Sequence, residues 1–568
     1  MYYHRAMRGG SHSFSTYKRS LRARLPELFL LMVLVGASTA QAQFTTTTSN
    51  GEITITGYTG PGGAVVIPDM INELPVTAIG DYAFSGLPNL TSITIPDGVV
   101  SIGQRAFQET NLSEATLPES LTTIGEGAFL DCPLSTLTIP HSIISIGDQA
   151  FQGPDLTSVT VPSNVISLGN YVFGGPSMTS ITVDPANPFY SSTDGILFNK
   201  DQTTLLEYPN GKTESSYTIP TGVTSIGVEA FDDSENLTSI TIPNTVTNIG
   251  EAAFDSCLGL ASITIPGSVT SVGDDLFEAC SNLKSATISN GLTSLGVGMF
   301  GSCHSLTHVT LPNNITSISN DAFFDCSSLT SFTIPTTVTT IGAGAFGLCP
   351  NLTSVTIPAS VTTIGDQAFL GPGLVTALFL GNAPTMEASV FGEMASGFKV
   401  GYLSGAAGFT SPTWTDSSGD TYPAGTLGTF SNWEGFYNLT GVDAAMAMPL
   451  KDGVPNLLKY LYNINPTVPM SASDRAALPA TNLVTVGNTP YLTITYRHSS
   501  LATDATVNVQ ASSDLQTWMP LTLVANPPTN PSTYSVQQEG TSGSDPILQI
   551  EVPYNGTNRF IRLNVTLP

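Results

Sequence analysis

The chain is 568 residues long, more than one core organises, so several domains or a repeat array are expected. Only 11% of its residues are charged, yet acidic residues outnumber basic ones so heavily that the formal net charge is -26. A surface of that sign repels nucleic acid and anionic lipid, which argues against both as partners.

Residues 1–42 read as an export signal. Arg5, Arg8, Lys18, Arg19, Arg22 and Arg24 precede the apolar run LFLLMVLVGA (Leu28 to Ala37), and Ala40-Gln41-Ala42 forms a small-residue cleavage site. The run is shorter than the roughly 20 residues needed to span a bilayer. Cleavage before Gln43 would leave 11 basic against 42 acidic residues, a net charge near -31. No later stretch is long and apolar enough to cross a membrane. The first cysteine is Cys132, so none stands at the new N-terminus to carry a lipid. The expectation is an exported chain without a transmembrane anchor, beginning with a cap over residues 43–66.

Residues 67–398 repeat. The phrase IGxxAF places phenylalanines at 84, 107, 129, 151 and 173, then at 231, 254, 277, 300, 323, 346 and 369, with Phe391 as a decayed last copy. Spacings are 22 or 23 residues except for one gap of 58, which fits one extended repeat without the phenylalanine. Within each unit the apolar positions follow L-x-x-I-x-I, as in Leu90, Ile93 and Ile95. Such alternation predicts a short strand with one face buried. Proline follows, as at Pro96, Pro243 and Pro358, and ends the strand at a turn because it has no N–H to give a ladder. A second apolar pair comes next, as in Val361 and Ile364. One such unit cannot bury its apolar face, whereas stacked units share a core.

The strand pattern and period resemble leucine-rich repeats, and the wording NLTSITIPxxVTxIGxxAF is similar to that of the BspA-like subfamily of bacterial surface proteins. The segment DPANPFYSSTDGILFNKDQTTLLEYPNGK (Asp184 to Lys212) resembles a longer unit of the same family. The resemblance covers roughly residues 44–400. It implies a curved solenoid with a parallel sheet of short strands, used for adhesion and for binding proteins of a host or neighbouring cell.

Between the two inward residues of each strand stands a threonine: Thr94, Thr116, Thr138, Thr160, Thr182, Thr218, Thr241, Thr264, Thr287, Thr310, Thr333 and Thr356. Stacked strands lie about 4.8 Å apart, so this column is expected to form a hydroxyl-bearing face roughly 55–60 Å long. Threonine tolerates strands and stacks well on itself, which explains the column without a ligand. The alternative is a face matched to a repetitive solid such as crystalline polysaccharide or ice.

Cys257, Cys280, Cys303, Cys326 and Cys349 form a second column, each three residues after the repeat phenylalanine, and Cys132 holds the equivalent place earlier. Side chains in a column point in parallel, so free buried thiols are expected rather than disulfides. Cys303, His304 and His308 in CHSLTH need not share a face, and no metal site is expected. The carboxylates of IGDQAF, Asp148 and Asp366, follow the repeat period and read as solvated surface. No nucleophile motif or paired carboxylate stands outside the period, so no enzyme and no cofactor is expected.

Residues 399–440 read as a C-terminal cap and linker, and 441–478 as a short helical segment and linker. In DGVPNLLKYLYNINP (Asp452 to Pro466), Pro455 suits a first helical turn and Pro466 prevents continuation. The segment resembles one found before C-terminal domains of exported bacterial proteins, where acidic loops can hold calcium. Only Asp443 and Asp452 stand nearby here, too few for such a loop. Residues 479–568 then read as a small antiparallel β-sandwich with strands near 491–497, 505–512, 518–524, 547–552 and 559–567, resembling fibronectin-like or sorting-type modules. The expectation is a non-enzymatic solenoid that binds an extracellular protein or polysaccharide, with a structural spacer as the alternative.

Overall fold

The computed structural model describes residues 43–427 and the backbones of strands between 480 and 566. The export segment and the expected helix at 452–466 lie outside the described residues. The described residues divide into two compact units, one ending at Phe189 and the other beginning at Tyr190.

In the first unit each repeat makes one coil, and each coil can contribute to two separate ladders. The L-x-x-I-x-I stretch forms the first: Leu90–Thr94 pairs in parallel with Glu114–Thr116, and Ser158–Val161 with Ser180–Val183. The second apolar pair also forms strands. Ser101–Ile102, Thr123–Ile124, Ser145–Ile146 and Ser167–Leu168 pair in parallel and in register as a second ladder. Its N-terminal edge carries an antiparallel hairpin, Phe44–Ser49 on Glu52–Tyr58, followed in parallel by Leu74–Ile79. The hairpin covers the first coil's edge and makes the short strand Phe44–Ser49 the outer one.

Between the ladders lies a column of stacked rings. Phe84, Phe107, Phe129, Phe151 and Phe173 are buried with centroids 5.0–6.1 Å apart. Burying each ring contributes about 1.5–3 kcal/mol relative to exposure. The backbone of this turn makes its own inter-coil hydrogen bonds: Tyr82, Phe84 and Gly86 donate N–H to the carbonyls of Gln104, Ala106 and Gln108. The residues two before and two after the phenylalanine are left-handed, as at Arg105 (φ 51°) and Glu109 (φ 56°). That conformation costs about 1–2 kcal/mol at a non-glycine residue, which the inter-coil bonds offset. The glycine of the IG pair answers a different need. A Cβ at Gly125 would lie 2.6 Å from the nitrogen of Gln104, so the neighbouring coil leaves no room for a side chain.

The second unit begins with an antiparallel meander, Tyr190–Thr193, Ile196–Asn199 and Thr204–Glu207, within the extended repeat. The last of these strands pairs in parallel with Ser225–Ile226, and the second ladder continues through Asn248–Ile249 and Ser271–Val272. It resumes from a bridge between Ser294 and Ser317 and runs through Thr340–Ile341 and Thr363–Ile364 to Thr385–Met386. The extended repeat lacks the phenylalanine but not the ring. Tyr208 stacks on Phe231 at 5.2 Å and donates its N–H to Ala230, just as Phe231 donates to Ala253. Tyr208 stands 23 residues before Phe231, so the period itself marks it once any aromatic is admitted.

At the C-terminal side, Lys399–Leu403 and Thr421–Leu427 extend the first ladder in parallel, and Thr413–Thr415 folds back antiparallel. Trp414 is buried here, its Nε1 donating to the Gly408 carbonyl at 2.8 Å and its ring set against Phe379 and Phe409. This irregular coil covers the core that the last repeat would expose.

The strands expected near the C-terminus are present. Ala480–Val486, Thr489–Arg497, Asp545–Pro553 and Thr533–Ser542 form an antiparallel sheet to which Thr522–Leu523 adds in parallel. Thr506–Ser512 pairs antiparallel with Phe560–Thr566 and with Met519–Pro520. Ala480–Val486 and Thr533–Ser542 are strands that the sequence reading did not mark.

Candidate functional site

The twelve first-ladder threonines lie at the surface, eleven of them exposed and Thr356 half-buried. Parallel register aligns Thr94 with Thr116, Thr160 with Thr182, Thr218 with Thr241, and Thr264 with Thr287 and Thr310. The strands do not form the single continuous sheet that the spacing suggested. No strand forms at Thr138 or Thr333. Beside Thr333, Phe332 is half-buried between Phe323 and Phe346, with centroids 4.8 Å from each. Nothing in the structure accounts for the break at Thr138. Beyond Thr356 the column passes to Leu378 and Gly401, and before Thr94 it starts at Val66.

Most of these hydroxyls are unengaged. Thr160 and Thr182 share a hydrogen bond at 2.8 Å, Thr182 also donates to the Val159 carbonyl, and Thr310 pairs with His308 Nε2. The other nine make no side-chain hydrogen bond among the described residues. This first-ladder face therefore presents free donors and acceptors.

The second ladder carries a column that the sequence reading missed. In the second unit Thr224, Thr247, Thr270, Thr316, Thr339 and Thr362 stand immediately before a short strand and Thr293 before the bridging Ser294, at constant 23-residue intervals and all exposed, while Pro384 takes the place before Thr385–Met386. Here the hydroxyls turn inward along the coil stack. Thr224, Thr247, Thr270, Thr316, Thr339 and Thr362 each donate Oγ1 to the carbonyl of the residue one coil earlier, at 3.1–3.4 Å. These bonds are long and individually weak, but each targets the carbonyl that takes the same threonine's N–H, as Thr203 takes Thr224 N at 2.8 Å. In the first unit the same column reads Val100, Thr122, Ile144 and Ile166. Its aliphatic members are exposed, at 44%, 42% and 51%.

The cysteines are all free and buried, as expected. Each thiol of the 257–349 series donates to the carbonyl of a phenylalanine in the preceding coil, as Cys280 does to Phe254 at 3.1 Å. Burial pushes the Cys132 thiol up to about 11 and Cys349 to about 12, far from the thiolate that reacts. Cys303 bonds into the core while His304 meets Asp325 at 3.1 Å outside, so CHSLTH is not assembled into one site. Among the described residues no group of three ligating side chains could hold a metal.

The carboxylates of the turn are less passive than solvated surface. Asp148 Oδ1 accepts the N–H of Asn170 at 2.7 Å and Asp81 Oδ1 that of Gln104 at 2.8 Å, so both tie coils together. One after the phenylalanine, Asp232 is pushed up to about 8 by burial, with Asp233, Asp255 and Glu229 adding repulsion. Asp255 and Glu278, at the same place in the next two coils, are raised by burial as well. A cavity lined by Phe346, Cys349, Leu352 and Phe369 holds about 10 Å³, room for no more than a water.

Coils with L-x-x-I-x-I strands and a 22–23-residue period define a leucine-rich-repeat solenoid. The chain belongs to the BspA type leucine-rich-repeat family: six copies of the repeat match over residues 77–192, 210–329 and 298–396, more than half of the chain. Similar solved structures include a leucine-rich repeat protein from Eubacterium ventriosum, 28% identical over 58% of this chain and 91% of that one, TM-score 0.46. A leucine-rich cell surface protein from Faecalibacterium prausnitzii is 26% identical over 57% and 93%, TM-score 0.39. A leucine-rich repeat protein from Bacteroides ovatus is 27% identical over 63% and 93%, TM-score 0.39. No curated protein matches the chain. No helix among the described residues is long and apolar enough to cross a membrane.

Proposed function

We propose that this is a non-enzymatic binding or adhesion protein, exported through its N-terminal signal, that meets an extracellular protein or polysaccharide along the faces of its coils. The observation that carries this reading is the pair of surface columns, repeated coil after coil, on a chain of net charge -26. Their residues are uncharged and mostly hydroxylated, so affinity would be a sum of many weak contacts rather than electrostatic capture. Recognition of this kind suits an extended partner, because each coil adds one small increment. Family membership supports a surface role and does not select the ligand.

The test is a retention assay with the chain from Gln43 onward against matrix proteins, bacterial envelopes and insoluble polysaccharides. Saturable retention at micromolar concentration on one of these is the expected result. Retention on none, together with concentration-dependent self-association, would instead make the coils a structural spacer.

A further inference from the structure

We propose that within each compact unit the second ladder, not the first, is the docking face for a neutral β-linked polysaccharide, each coil meeting one sugar ring through an outward methyl group. The inference rests on the reading of the protein as a binder and names the face and the ligand class.

The first observation is what the column residues share. In the second unit they are threonines; in the first unit Val100, Ile144 and Ile166 take the place, with Thr122 among them. Valine and isoleucine cannot supply a hydroxyl, so the group common to both units is a methyl on a β-branched carbon. The hydrogen bonds agree. Thr247 and Thr270 are exposed and commit Oγ1 to the preceding coil, so the branch left over for a ligand is the methyl. Both the branching and this bond restrict χ1, so little rotamer freedom remains to be lost on binding.

The second observation is the charge pattern. The column and the polar residue after it, as in Thr247-Asn248 or Thr270-Ser271, contain no charged side chain from Val100 to Thr363. Three residues past that polar residue some coils carry a carboxylate, at Glu126, Asp148, Glu251, Asp274 and Asp366, the others an uncharged residue, and none a cation. An anionic polymer would be repelled by this rim, and a cationic one would be drawn to the rim rather than to the methyls. A neutral polymer fits, provided that it offers an apolar face flanked by hydroxyls. A pyranose ring does so: its C–H face can cover the methyl, and its equatorial hydroxyls can reach the neighbouring Ser, Thr or Asn. Coils recur at about 4.8 Å, of the order of one sugar ring, so an extended β-linked chain laid along the column offers roughly one ring per coil over a short run of coils.

The experiment uses the chain from Gln43 onward with cellulose and chitin as neutral probes and alginate as an anionic control. Adsorption to one neutral probe and none to alginate is expected. Replacing Thr247, Thr270 and Thr316 by serine should weaken adsorption about tenfold or more, since one methyl contact is lost in each of three coils. The same three changed to valine should leave it within about twofold, because the methyl stays. Thr264→Lys, Thr287→Lys and Thr310→Lys on the first ladder should change nothing, and melting curves check that each variant folds. The inference is overturned if the valine set loses adsorption while the serine set keeps it, or if the first-ladder lysines abolish it. Adsorption only to ice, or retention only on a protein partner, also overturns it while leaving the protein a binder. Retention on nothing sinks both readings.

Discussion

The two ladders of one coil use the same residue type to opposite effect. On the first ladder most of the threonines sit inside a paired strand, where the backbone bonds run between strands, and nine of the twelve leave the hydroxyl to solvent. On the second it sits one residue before the strand, close to a carbonyl of the preceding coil that takes both its N–H and its Oγ1. The lesson is that a threonine column is not a chemical description of a surface. The position of the nearest backbone carbonyl decides whether a coil shows a hydroxyl or a methyl, and only the fold supplies that position.

The contrast between buried and displayed columns gives the largest expected effect. Phe277→Ala removes a ring from the middle of the second unit's stack, flanked at 5.4 and 5.5 Å, and should cost about 3–5 kcal/mol in urea unfolding. A Thr287→Val change on the first ladder should stay within about 0.5 kcal/mol. A comparable loss at both positions would mean that the surface column is structural. Cys280→Ala, which removes a buried thiol and its bond to the Phe254 carbonyl, should fall between, at about 1–3 kcal/mol.

Alkylation sharpens the same contrast without mutation. All six thiols should resist iodoacetamide in the folded protein at pH 8 and react in denaturant, read as intact mass. Labelling of only some of them in denaturant would reveal disulfides and contradict the structure.

The acidic turn gives a smaller, pH-dependent effect. Asp232 holds its proton in the folded state up to about pH 8, whereas in the unfolded chain it ionises near its ordinary 3.8. The unfolded state is therefore increasingly favoured as pH rises from about 4 to about 8, and below that window Asp232 has no effect. Asp232→Asn should raise the melting temperature at pH 8 by a few degrees and leave it unchanged at pH 3.5. An equal rise at both values would show that desolvation of the carboxylate is not the cause.

Much of this was legible in sequence. The period, the inward positions, the strand-ending prolines and the buried cysteines all follow from a pattern that recurs a dozen times, and repetition averages away the ambiguity of any single short segment. Tyr208 was hidden only because phenylalanine was the marker sought. The second ladder was harder to see, since a paired stretch of two residues such as Ser101–Ile102 has no periodicity of its own to detect. The break at Thr138 was also out of reach, because its sequence keeps the same outward threonine and the following proline; at Thr333 the inward Phe332 is visible in the sequence, but its wedging between Phe323 and Phe346 is not.

By itself the sequence determined that this chain is a stack of equivalent coils with a shared apolar interior, because the alternation within each unit and the constant spacing between units admit no other way to bury those faces. The tertiary structure alone decided which backbone groups meet across coils. It put the left-handed residues at the ring turn, brought the IG glycine against its neighbour, turned Asp148 into a link between coils, and fixed which threonines keep a free hydroxyl. These are contacts between residues about one repeat apart, and their distances depend on how closely one coil settles on the next.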